Sequence, residues 1–366
     1  MYLEQLSVIN FKNYAEAGLT FSEGVNAFTG DNGAGKTNLL DAIHYLSLCK
    51  SYFNPIDSQQ IKQGADFFII NGVFNKNSHE EKIACAVKRN QKKQFKRNKK
   101  DYQRLADHIG LFPLVMVSPY DTSIITEGSE ERRRFIDNVL SQTDNGYLDE
   151  VIAYNKILNN RNAFLKLIAD TGRYDPHLLE VMDEQLIASG NNIFKKRKAF
   201  METFTPIFNT HYQFITEDAE QVELIYESQL LEDEFASLLK KTVEKDRALE
   251  RTTSGIHKDD LQFVIHGMPV KKFGSQGQQK SFLIALKLAQ YTFLTDEKGF
   301  KPLLLLDDIF DKLDDKRVAK LMQMVSEHDF GQVFITDTSA SRVEDIFSKM
   351  GVEIKLFKVT GGEIDA

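Results

Sequence analysis

A glycine-rich segment of eight residues places the strongest restriction on the fold of this chain. It consists of Gly30, Asp31, Asn32, Gly33, Ala34, Gly35, Lys36 and Thr37, and it matches the phosphate-loop pattern G-x-x-x-x-G-K-[ST] at every specified position. The apolar run Val25 to Thr29 precedes the segment and predicts a strand, and apolar residues at helical spacing follow it. Because a strand, this loop and a helix together bind nucleotide phosphates, we expect ATP to bind here.

Each part of the loop has a predicted role. The glycines let backbone N–H groups turn toward the phosphates, and the helix N-terminus adds the positive end of its dipole. Lys36 is expected to reach the β- and γ-phosphates, and the hydroxyl of Thr37 is expected to bind Mg²⁺.

A second motif, the apolar run Leu303 to Leu306, ends in two acids, Asp307 and Asp308. In a phosphate-loop protein this pattern is typical of Walker B, where Asp307 holds Mg²⁺ directly or through water. Asp308 is then the residue that orients or deprotonates the attacking water, so we predict both Asp308 and Lys36 to be catalytic. The side chain of Asp308 is one methylene shorter than that of a glutamate. As the base it would stand farther from the γ-phosphate, which predicts slow hydrolysis.

The segment Gly274 to Lys280 precedes a run of apolar residues at helical spacing and resembles the signature motif of ABC-type ATPases. Ser275, Gly277 and Gln278 are expected to bind the nucleotide held by a second subunit, because such a site at a helix N-terminus has no phosphate in its own subunit. By its resemblance to that superfamily, the motif implies that two subunits enclose two ATP molecules between them.

Two other segments fit the same superfamily. Asp311 to Asp314 follows Walker B where a D-loop is expected, and Gln332 to Thr336 predicts the strand that leads to a switch residue. Many ABC ATPases have histidine after that strand, whereas this chain has Asp337, so no switch histidine is assigned. His257 lies in a polar cluster before a strand, which is more often a structural turn than a catalytic site.

Hydrophobic periodicity changes twice along the chain. Short strands are predicted before Pro119 and again towards the end, whereas the apolar residues from about Glu130 to Phe208 recur at helical spacing. The predicted fold class is therefore α/β: an ABC-type phosphate-loop ATPase head, residues 1–118 and 252–366, with an inserted, mainly helical second lobe, residues 119–251.

Composition restricts where the protein works. No apolar run approaches the roughly 18 residues that span a membrane, and the opening residues lack the features of a signal peptide, so we expect a cytoplasmic protein with no membrane partner. Cys49 and Cys85 lack the spacing of a metal site, which favours free thiols in a reducing compartment.

The net charge of −7 argues against a generally basic nucleic-acid binder, but one segment is strongly basic. Lys88 to Lys100 contains eight basic residues and no acid. One interpretation is a solvated hairpin whose lysines keep a sheet edge from pairing. The other is contact with DNA phosphates, for which the candidates are Lys92, Lys93, Lys96 and Arg97.

Several blocks extend the resemblance beyond the nucleotide motifs. Asn10 to Tyr14, Gly30 to Ile43, Ser118 to Asp121, Arg132 to Asp137 and Gly255 to Asp260 together resemble the RecF family of bacterial recombination and repair proteins. The resemblance runs nearly the full length of the chain. Lys12 and Lys258 stand where that family usually has arginine. Lysine keeps the positive charge but cannot form the two parallel hydrogen bonds that a guanidinium group donates to a phosphate.

The resemblance implies a specific function. It implies an ATP-dependent homodimer that binds DNA at gaps and at junctions of single and double strands, with weak DNA-dependent ATPase activity. RecO and RecR are the implied partners, and loading of the recombinase RecA is the implied outcome. It also adds Lys12 and Asn38 to the nucleotide-binding residues.

Two other classes of function fit the sequence less well. The ATP-driving subunit of a transporter is disfavoured by the long separation of Thr37 from Ser275 and by the missing switch histidine. A chromosome-organising protein with coiled-coil arms is disfavoured because the insertion is short and lacks sustained heptads.

Overall fold

The computed structural model describes residues 1–216, 220–309, 315–327 and 330–365. The predicted D-loop, residues 311–314, lies outside these ranges. The chain divides into two compact units. Met1–Asp121 and Lys280–Ala366 form the head unit, and Thr122–Gln279 forms the helical unit.

Fifteen strands are present in the described residues. In chain order they are β1 (Tyr2–Phe11), β2 (Tyr14–Thr20), β3 (Val25–Thr29), β4 (Phe67–Lys76), β5 (His79–Lys88), β6 (Gln94–Arg97), β7 (Lys100–Asp101), β8 (Leu114–Val117), β9 (Val222–Glu227), β10 (Asp260–Ile265), β11 (Met268–Pro269), β12 (Leu303–Leu306), β13 (Val333–Asp337), β14 (Ile354–Thr360) and β15 (Glu363–Asp365).

The same residues contain ten α-helices. They are α1 (Lys36–Leu48), α2 (Thr122–Thr126), α3 (Ser129–Thr143), α4 (Asn145–Thr171), α5 (Pro176–Thr216), α6 (Phe235–Ala248), α7 (Val270–Phe273), α8 (Gln276–Lys298), α9 (Asp315–Ser326) and α10 (Ala340–Lys349). No helix in the described part of the chain is long and apolar enough to cross a membrane.

The head unit contains two six-stranded sheets. One is antiparallel, in the order β2-β1-β4-β5-β6-β7, and the other is mainly parallel, in the order β15-β14-β3-β13-β12-β8. Apolar side chains of α1 and of strands from both sheets form one core cluster. Within it Phe28 of β3 packs against Phe21, Phe334 and Phe357, with ring centroids 5.5–6.2 Å apart.

The parallel sheet determines where functional side chains meet. Strands β3, β13, β12 and β8 run parallel to their neighbours, with Thr29 opposite Asp337 and Leu306 opposite Val117. Their carboxyl ends therefore lie along one edge, where open α/β sheets bind their ligands. All five residues of β3 are buried, as expected for a central strand of a parallel sheet.

The helical unit contains helices α2–α7, the first residues of α8, and a small three-stranded sheet, β11-β10-β9. Helix α4 ends at Thr171, and Asp175 caps α5 by accepting hydrogen bonds from the N–H groups of His177 and Leu178 at 3.0 and 3.2 Å. The predicted second boundary at residue 251 differs from the observed one at 279. The reason is that β10 pairs antiparallel with β9, so the chain after residue 251 stays with the helical unit.

Candidate functional site

The phosphate-loop segment connects β3 to α1, as predicted. Its glycines adopt backbone angles that other residues rarely adopt, with φ of 148° at Gly30 and 120° at Gly35. A Cβ atom on Gly30 would lie 2.1 Å from the carbonyl oxygen of Val359 in β14. Glycine is therefore required at Gly30 both by the turn and by the close approach of a neighbouring strand.

Lys36 is 4% exposed, and its ammonium group lies over the loop. Nζ donates hydrogen bonds to the carbonyl oxygens of Gly30 at 2.7 Å and Asp31 at 2.9 Å. These two acceptors hold the charge within the loop, which is where a phosphate-binding lysine is required.

The two predicted Mg²⁺ ligands lie together. Thr37 Oγ1 donates a hydrogen bond of 2.8 Å to Asp307 Oδ1, although the two residues are far apart in sequence. Thr336 Oγ1 donates to the same oxygen at 2.9 Å, and Ser118 Oγ donates to Asp307 Oδ2 at 3.3 Å. Burial raises the pKa of Asp307, and the three hydroxyl hydrogen bonds oppose that rise.

Asp308 is the second residue after β12 and has a φ of 48°, in the left-handed region. Its backbone N–H donates to Thr336 Oγ1 at 2.8 Å, so Thr336 contacts both acids of the Walker B pair. A non-glycine residue in this region stores strain, which supports a functional interpretation of an observed outlier.

Two turns brace the phosphate loop, and their residues were not assigned to the site from sequence reasoning. Asn13 Nδ2 donates to the Ala34 carbonyl at 2.9 Å, and Tyr14 OH donates to the Gly35 carbonyl at 3.0 Å. From the turn between β14 and β15, the N–H of Gly362 donates to the same Ala34 carbonyl at 3.1 Å. The sequence around Asn13 and Tyr14 predicts a polar turn, but nothing in the neighbouring residues indicates that this turn contacts the phosphate loop.

Asn38 and Lys12, both predicted to contact nucleotide, have protein partners. Asn38 Nδ2 donates to Asn13 Oδ1 at 2.7 Å. Lys12 Nζ lies 2.6 Å from Asp41 Oδ2, and Asp41 also accepts hydrogen bonds from Ser51 Oγ and from the N–H of Tyr52, each 2.7 Å long. Asp41 therefore already compensates the charge of Lys12.

A buried ion pair lies beside the Walker B acid. Lys287 of α8 and Asp121, which are 5% and 2% exposed, have Nζ and Oδ1 2.6 Å apart. Asp121 Oδ2 accepts a hydrogen bond of 2.7 Å from the N–H of Ser118, whose hydroxyl contacts Asp307. Sequence reasoning missed Lys287, because a lysine among the apolar residues of a helix gives no sign of its partner.

The predicted signature residues lie in the helical unit, at the start of α8. Ser275 and Gln278 form a reciprocal cap: the N–H of Gln278 donates to Ser275 Oγ at 3.2 Å, and the N–H of Ser275 donates to Gln278 Oε1 at 2.7 Å. Gln278 Nε2 also donates to Glu220 Oε1 at 2.7 Å. Gly277 lies in the first turn of the helix.

The residue at the switch position has a structural partner. Asp337 is 1% exposed and accepts hydrogen bonds from Arg342 Nη2 at 2.7 Å and from the N–H of Ser339 at 2.6 Å.

His257 also has a structural partner: its Nδ1 lies 2.8 Å from Tyr154 OH, and burial lowers the pKa of His257 to about 4. A neutral, hydrogen-bonded His257 fits the structural turn expected from sequence.

The basic segment forms a hairpin of β5 and β6, continued by β7. Three of the four candidate DNA contacts form ion pairs inside the head unit: Lys93 with Asp57 at 2.9 Å, Lys96 with Asp101 at 3.6 Å, and Arg97 with Glu81 at 2.6 Å. Lys92 is exposed. These pairs remove much of the free charge on which a DNA contact at this hairpin depends, and the contact stays a prediction.

Comparisons with known proteins agree with this geometry. A family model described as the RecF/RecN/SMC N terminal domain matches residues 2–363. The DNA replication and repair protein RecF of Flavobacterium johnsoniae is 52% identical over 359 residues, covering 98% of this chain and 100% of that protein. A solved structure of the recombination mediator protein RecF with ATP, in the RecFOR pathway, is 32% identical with a TM-score of 0.90, and the match covers 100% of this chain and 97% of that chain.

A more distant match is to the Smc head domain with an extended coiled coil, bound to the C-terminal domain of ScpA, from Pyrococcus furiosus. It is 19% identical, has a TM-score of 0.58 and covers 100% of this chain and 95% of that chain, so it shows a shared fold alone. The fold, the site and these matches define an ABC-type ATPase head of the kind found in SMC proteins, with an inserted, mainly helical lobe, and the predicted fold class is confirmed. Within that class the chain belongs to the RecF family, as its sequence blocks predicted.

Proposed function

We propose that this chain is an ATP-dependent DNA-binding protein of recombinational repair and replication-fork maintenance, working in the cytoplasm as an ATP-driven homodimer. The observation that carries the nucleotide part is the contact of Thr37 with Asp307, which joins the phosphate loop to the Walker B strand at 2.8 Å. Family membership supports the part that concerns DNA.

The residues at this contact fit Mg²⁺. Hydroxyl and carboxylate oxygens are the ligands that this ion prefers, and Thr37 and Asp307 would hold it. The burial that raises the pKa of Asp307 also makes its negative charge costly without a counter-charge, so a bound cation suits the site. When bound, the ion supplies charge neutralisation for the phosphates of ATP.

Several groups contact or act on the nucleotide in this proposal. Lys36 exchanges its two loop carbonyl partners for phosphate oxygens. The backbone of Gly30 to Thr37 surrounds the phosphates, and Lys12 and Asn38 stand beside them. Asp308 orients or deprotonates the attacking water, and because its side chain is short we propose slow hydrolysis. The resemblance to the RecF family implies that DNA stimulates this hydrolysis weakly.

The dimer follows from the signature residues. Ser275, Gly277 and Gln278 would meet the γ-phosphate of ATP bound to a second copy of the chain. ATP then favours the dimer and ADP the monomer, because ADP cannot supply those contacts. Slow hydrolysis resets the dimer to single subunits.

The proposed DNA substrates are gaps and junctions between single and double strands. The proposed partners are RecO and RecR, with which the dimer helps to load the recombinase RecA. Support comes from the RecF relatives, one of which is described as a recombination mediator in the RecFOR pathway.

One experiment tests the nucleotide and DNA parts together. Molecular mass by light scattering and binding of a gapped duplex are measured without nucleotide, with ADP, and with a non-hydrolysable ATP analogue, each in the presence of Mg²⁺. We expect a dimer and tight DNA binding with the analogue alone. Lys36→Ala should lose both responses, whereas Asp308→Asn should keep both and lose ATP turnover.

Two results would contradict the proposal. Unchanged mass in all three nucleotide states would remove the ATP-driven dimer. Equal loss of nucleotide binding in Lys36→Ala and Asp308→Asn would show that Asp308 acts in binding rather than after it.

A further inference from the structure

Two buried arginines fix the loop of residues 252–260 in the helical unit. The first, Arg161, has a fully buried side chain. Its Nη1 donates to Asp246 Oδ2 at 2.7 Å and to Thr252 Oγ1 at 3.0 Å, and its Nε donates to Asp183 at 2.6 Å. Asp246 Oδ1 in turn accepts a hydrogen bond of 2.9 Å from the N–H of Thr253.

The second arginine, Arg197, holds the other end of the loop and has a side chain that is 2% exposed. Its Nη1 donates to the carbonyl of Ile256 at 2.9 Å and to Asp259 Oδ2 at 2.8 Å. Nη2 donates to Asp137 at 2.9 Å, and Tyr226 OH donates to Asp259 Oδ2 at 2.6 Å.

Such networks are costly to bury. Removing ions from water carries a large desolvation cost, and apolar residues of similar volume often stabilise a protein equally well. Two buried arginines are therefore a weak source of stability for the unit. What they do provide is a loop whose backbone is held at both ends by charge-assisted hydrogen bonds.

The loop and its neighbours present basic side chains to solvent. Lys245 and Arg251 flank the end of α6, Lys258 lies in the loop, and all three are exposed. None of them forms an ion pair with a described residue. Arg133 joins this group, because its Nη1 donates to the carbonyl of Asp259, the residue after Lys258, at 2.6 Å.

Contacts through Asp246 keep these cations together. The N–H of Arg251 donates to the Asp246 carbonyl at 3.1 Å, and the Asp246 carboxylate holds Thr253 of the loop. Burial, followed by the nearby charges of Arg251 and Arg133, lowers the pKa of Lys258. The cations therefore repel one another in the protein alone, and an anion bound between them would relieve that repulsion.

We propose that Arg133, Lys245, Arg251 and Lys258 form a rigid contact site for the phosphate backbone of DNA. This site rests on the DNA-binding function proposed above and gives it a location in the helical unit. None of the four residues is aromatic, which fits contact with phosphates rather than stacking on bases. The other source of the same chemistry is the phosphate chain of a nucleotide, and the experiment separates the two.

The test removes three exposed charges and leaves Arg133 in place, because Arg133 also holds the loop. The variant Lys245→Ala, Arg251→Ala, Lys258→Ala is compared with a control that removes three exposed lysines elsewhere in the same unit, Lys156→Ala, Lys166→Ala, Lys240→Ala. Anisotropy of a labelled gapped duplex is measured on the full chain with a non-hydrolysable ATP analogue over a range of salt concentrations. Binding of a fluorescent ATP analogue is measured in parallel.

We expect the first variant to bind the duplex at least about tenfold more weakly, and the slope of log affinity against log salt to fall by roughly two to three. The control should change both quantities much less, and nucleotide binding should be unchanged in both proteins. Restoring one charge as Lys258→Arg in the first variant should recover part of the affinity, because a guanidinium binds phosphate well.

Three results would overturn the site. Equal losses in the variant and the control would show that only net charge matters. Lost nucleotide binding with normal DNA binding would assign the cations to ATP. Normal DNA binding by the variant would remove the site while leaving the proposed function intact, whereas a wild-type chain that binds no DNA in any nucleotide state would overturn the proposed function itself.

Discussion

Two opposing effects act on the pKa of the Asp307 carboxylate. Its burial raises its pKa, which means that folding disfavours the charged form, and three hydroxyl donors only partly offset this. The contribution of a group with a raised carboxylate pKa is most favourable below the ordinary pKa and is lost as the pH rises through the raised value. Above the raised pKa of Asp307 the protein without ligands therefore carries an unfavourable charge, which a bound cation would offset.

We predict that Asp307→Asn stabilises the ligand-free protein at pH 7. The amide is nearly isosteric and neutral, and its oxygen can still accept hydrogen bonds from Thr37 and Thr336. The unfolding temperature should rise by about 2–4 °C for each kcal/mol relieved. Thermal unfolding without nucleotide or Mg²⁺ measures this directly.

The same variant should respond differently to ligands and to acid. ATP with Mg²⁺ should raise the unfolding temperature of the wild type and have little effect on Asp307→Asn, because the variant lacks the carboxylate ligand. The advantage of the variant should shrink as the pH falls through the raised pKa of Asp307, because Asp307 itself then becomes protonated. A variant less stable than the wild type at pH 7 would show that the hydroxyl hydrogen bonds outweigh the effect of burial.

Single residues were predictable from sequence where a motif fixes their neighbours. Lys36 and Thr37 belong to one short pattern. Asp307 follows the continuous apolar run Leu303 to Leu306, which predicts a buried strand even when its neighbouring strands are unknown. Thr336 and Ser118 were not assigned to the site, because Thr336 reaches Asp307 from β13 and Ser118 reaches it from the residue after β8. Strand order, which local sequence does not encode, decides such contacts.

Helix α8 is joined to the segment after β8 by the buried pair of Lys287 and Asp121. We predict that Lys287→Met destabilises the protein by about 3–5 kcal/mol, because it leaves a buried carboxylate without its counter-ion. Chemical denaturation of the full chain measures the decrease in the free energy of unfolding. Thermal unfolding measures the same decrease for the head unit when the two units unfold in separate transitions.

The matched control for this pair is the double variant Lys287→Met, Asp121→Asn. Removing the uncompensated charge should recover much of the lost stability, while the amide still accepts a hydrogen bond from the N–H of Ser118. A double variant as unstable as Lys287→Met alone would indicate that packing of the lysine stem, rather than charge, stabilises this junction.

Secondary structure was predicted best where strands are buried. The bounds of β3 and β12 agree with the sequence prediction, because continuous apolar runs ended by loop residues are distinctive. Strands β2, β6, β7 and β15 were not predicted, since they are short or largely polar strands at or near sheet edges. The pairing of β10 with β9 was also not foreseen, and it moves the unit boundary.

The dimer gives a test that involves the complete chain. Ser275→Arg would place a bulky side chain at the helix start that is proposed to face the nucleotide of a second copy. We predict that the variant still binds ATP through its own phosphate loop but neither dimerises with ATP nor gains DNA affinity from it. Light scattering and duplex binding with the non-hydrolysable analogue measure both effects.

Ser275→Ala is the matched control, because it removes the cap hydroxyl without adding bulk. It should weaken dimerisation less than Ser275→Arg. A Ser275→Arg protein that dimerises with ATP and hydrolyses it at the wild-type rate would refute the shared site.

The position of β3 between β13 and β14 has a consequence for synthesis of the protein on the ribosome. The phosphate loop emerges early, but both neighbours of its strand, and the Gly362 turn that holds the Ala34 carbonyl, are made roughly 300 residues later. At about 5–20 residues per second, that interval lasts on the order of 15–60 s. An unfinished chain thus carries the phosphate-loop segment without the sheet that shapes it, and we expect the loop to reach its folded conformation only after β14 has been translated.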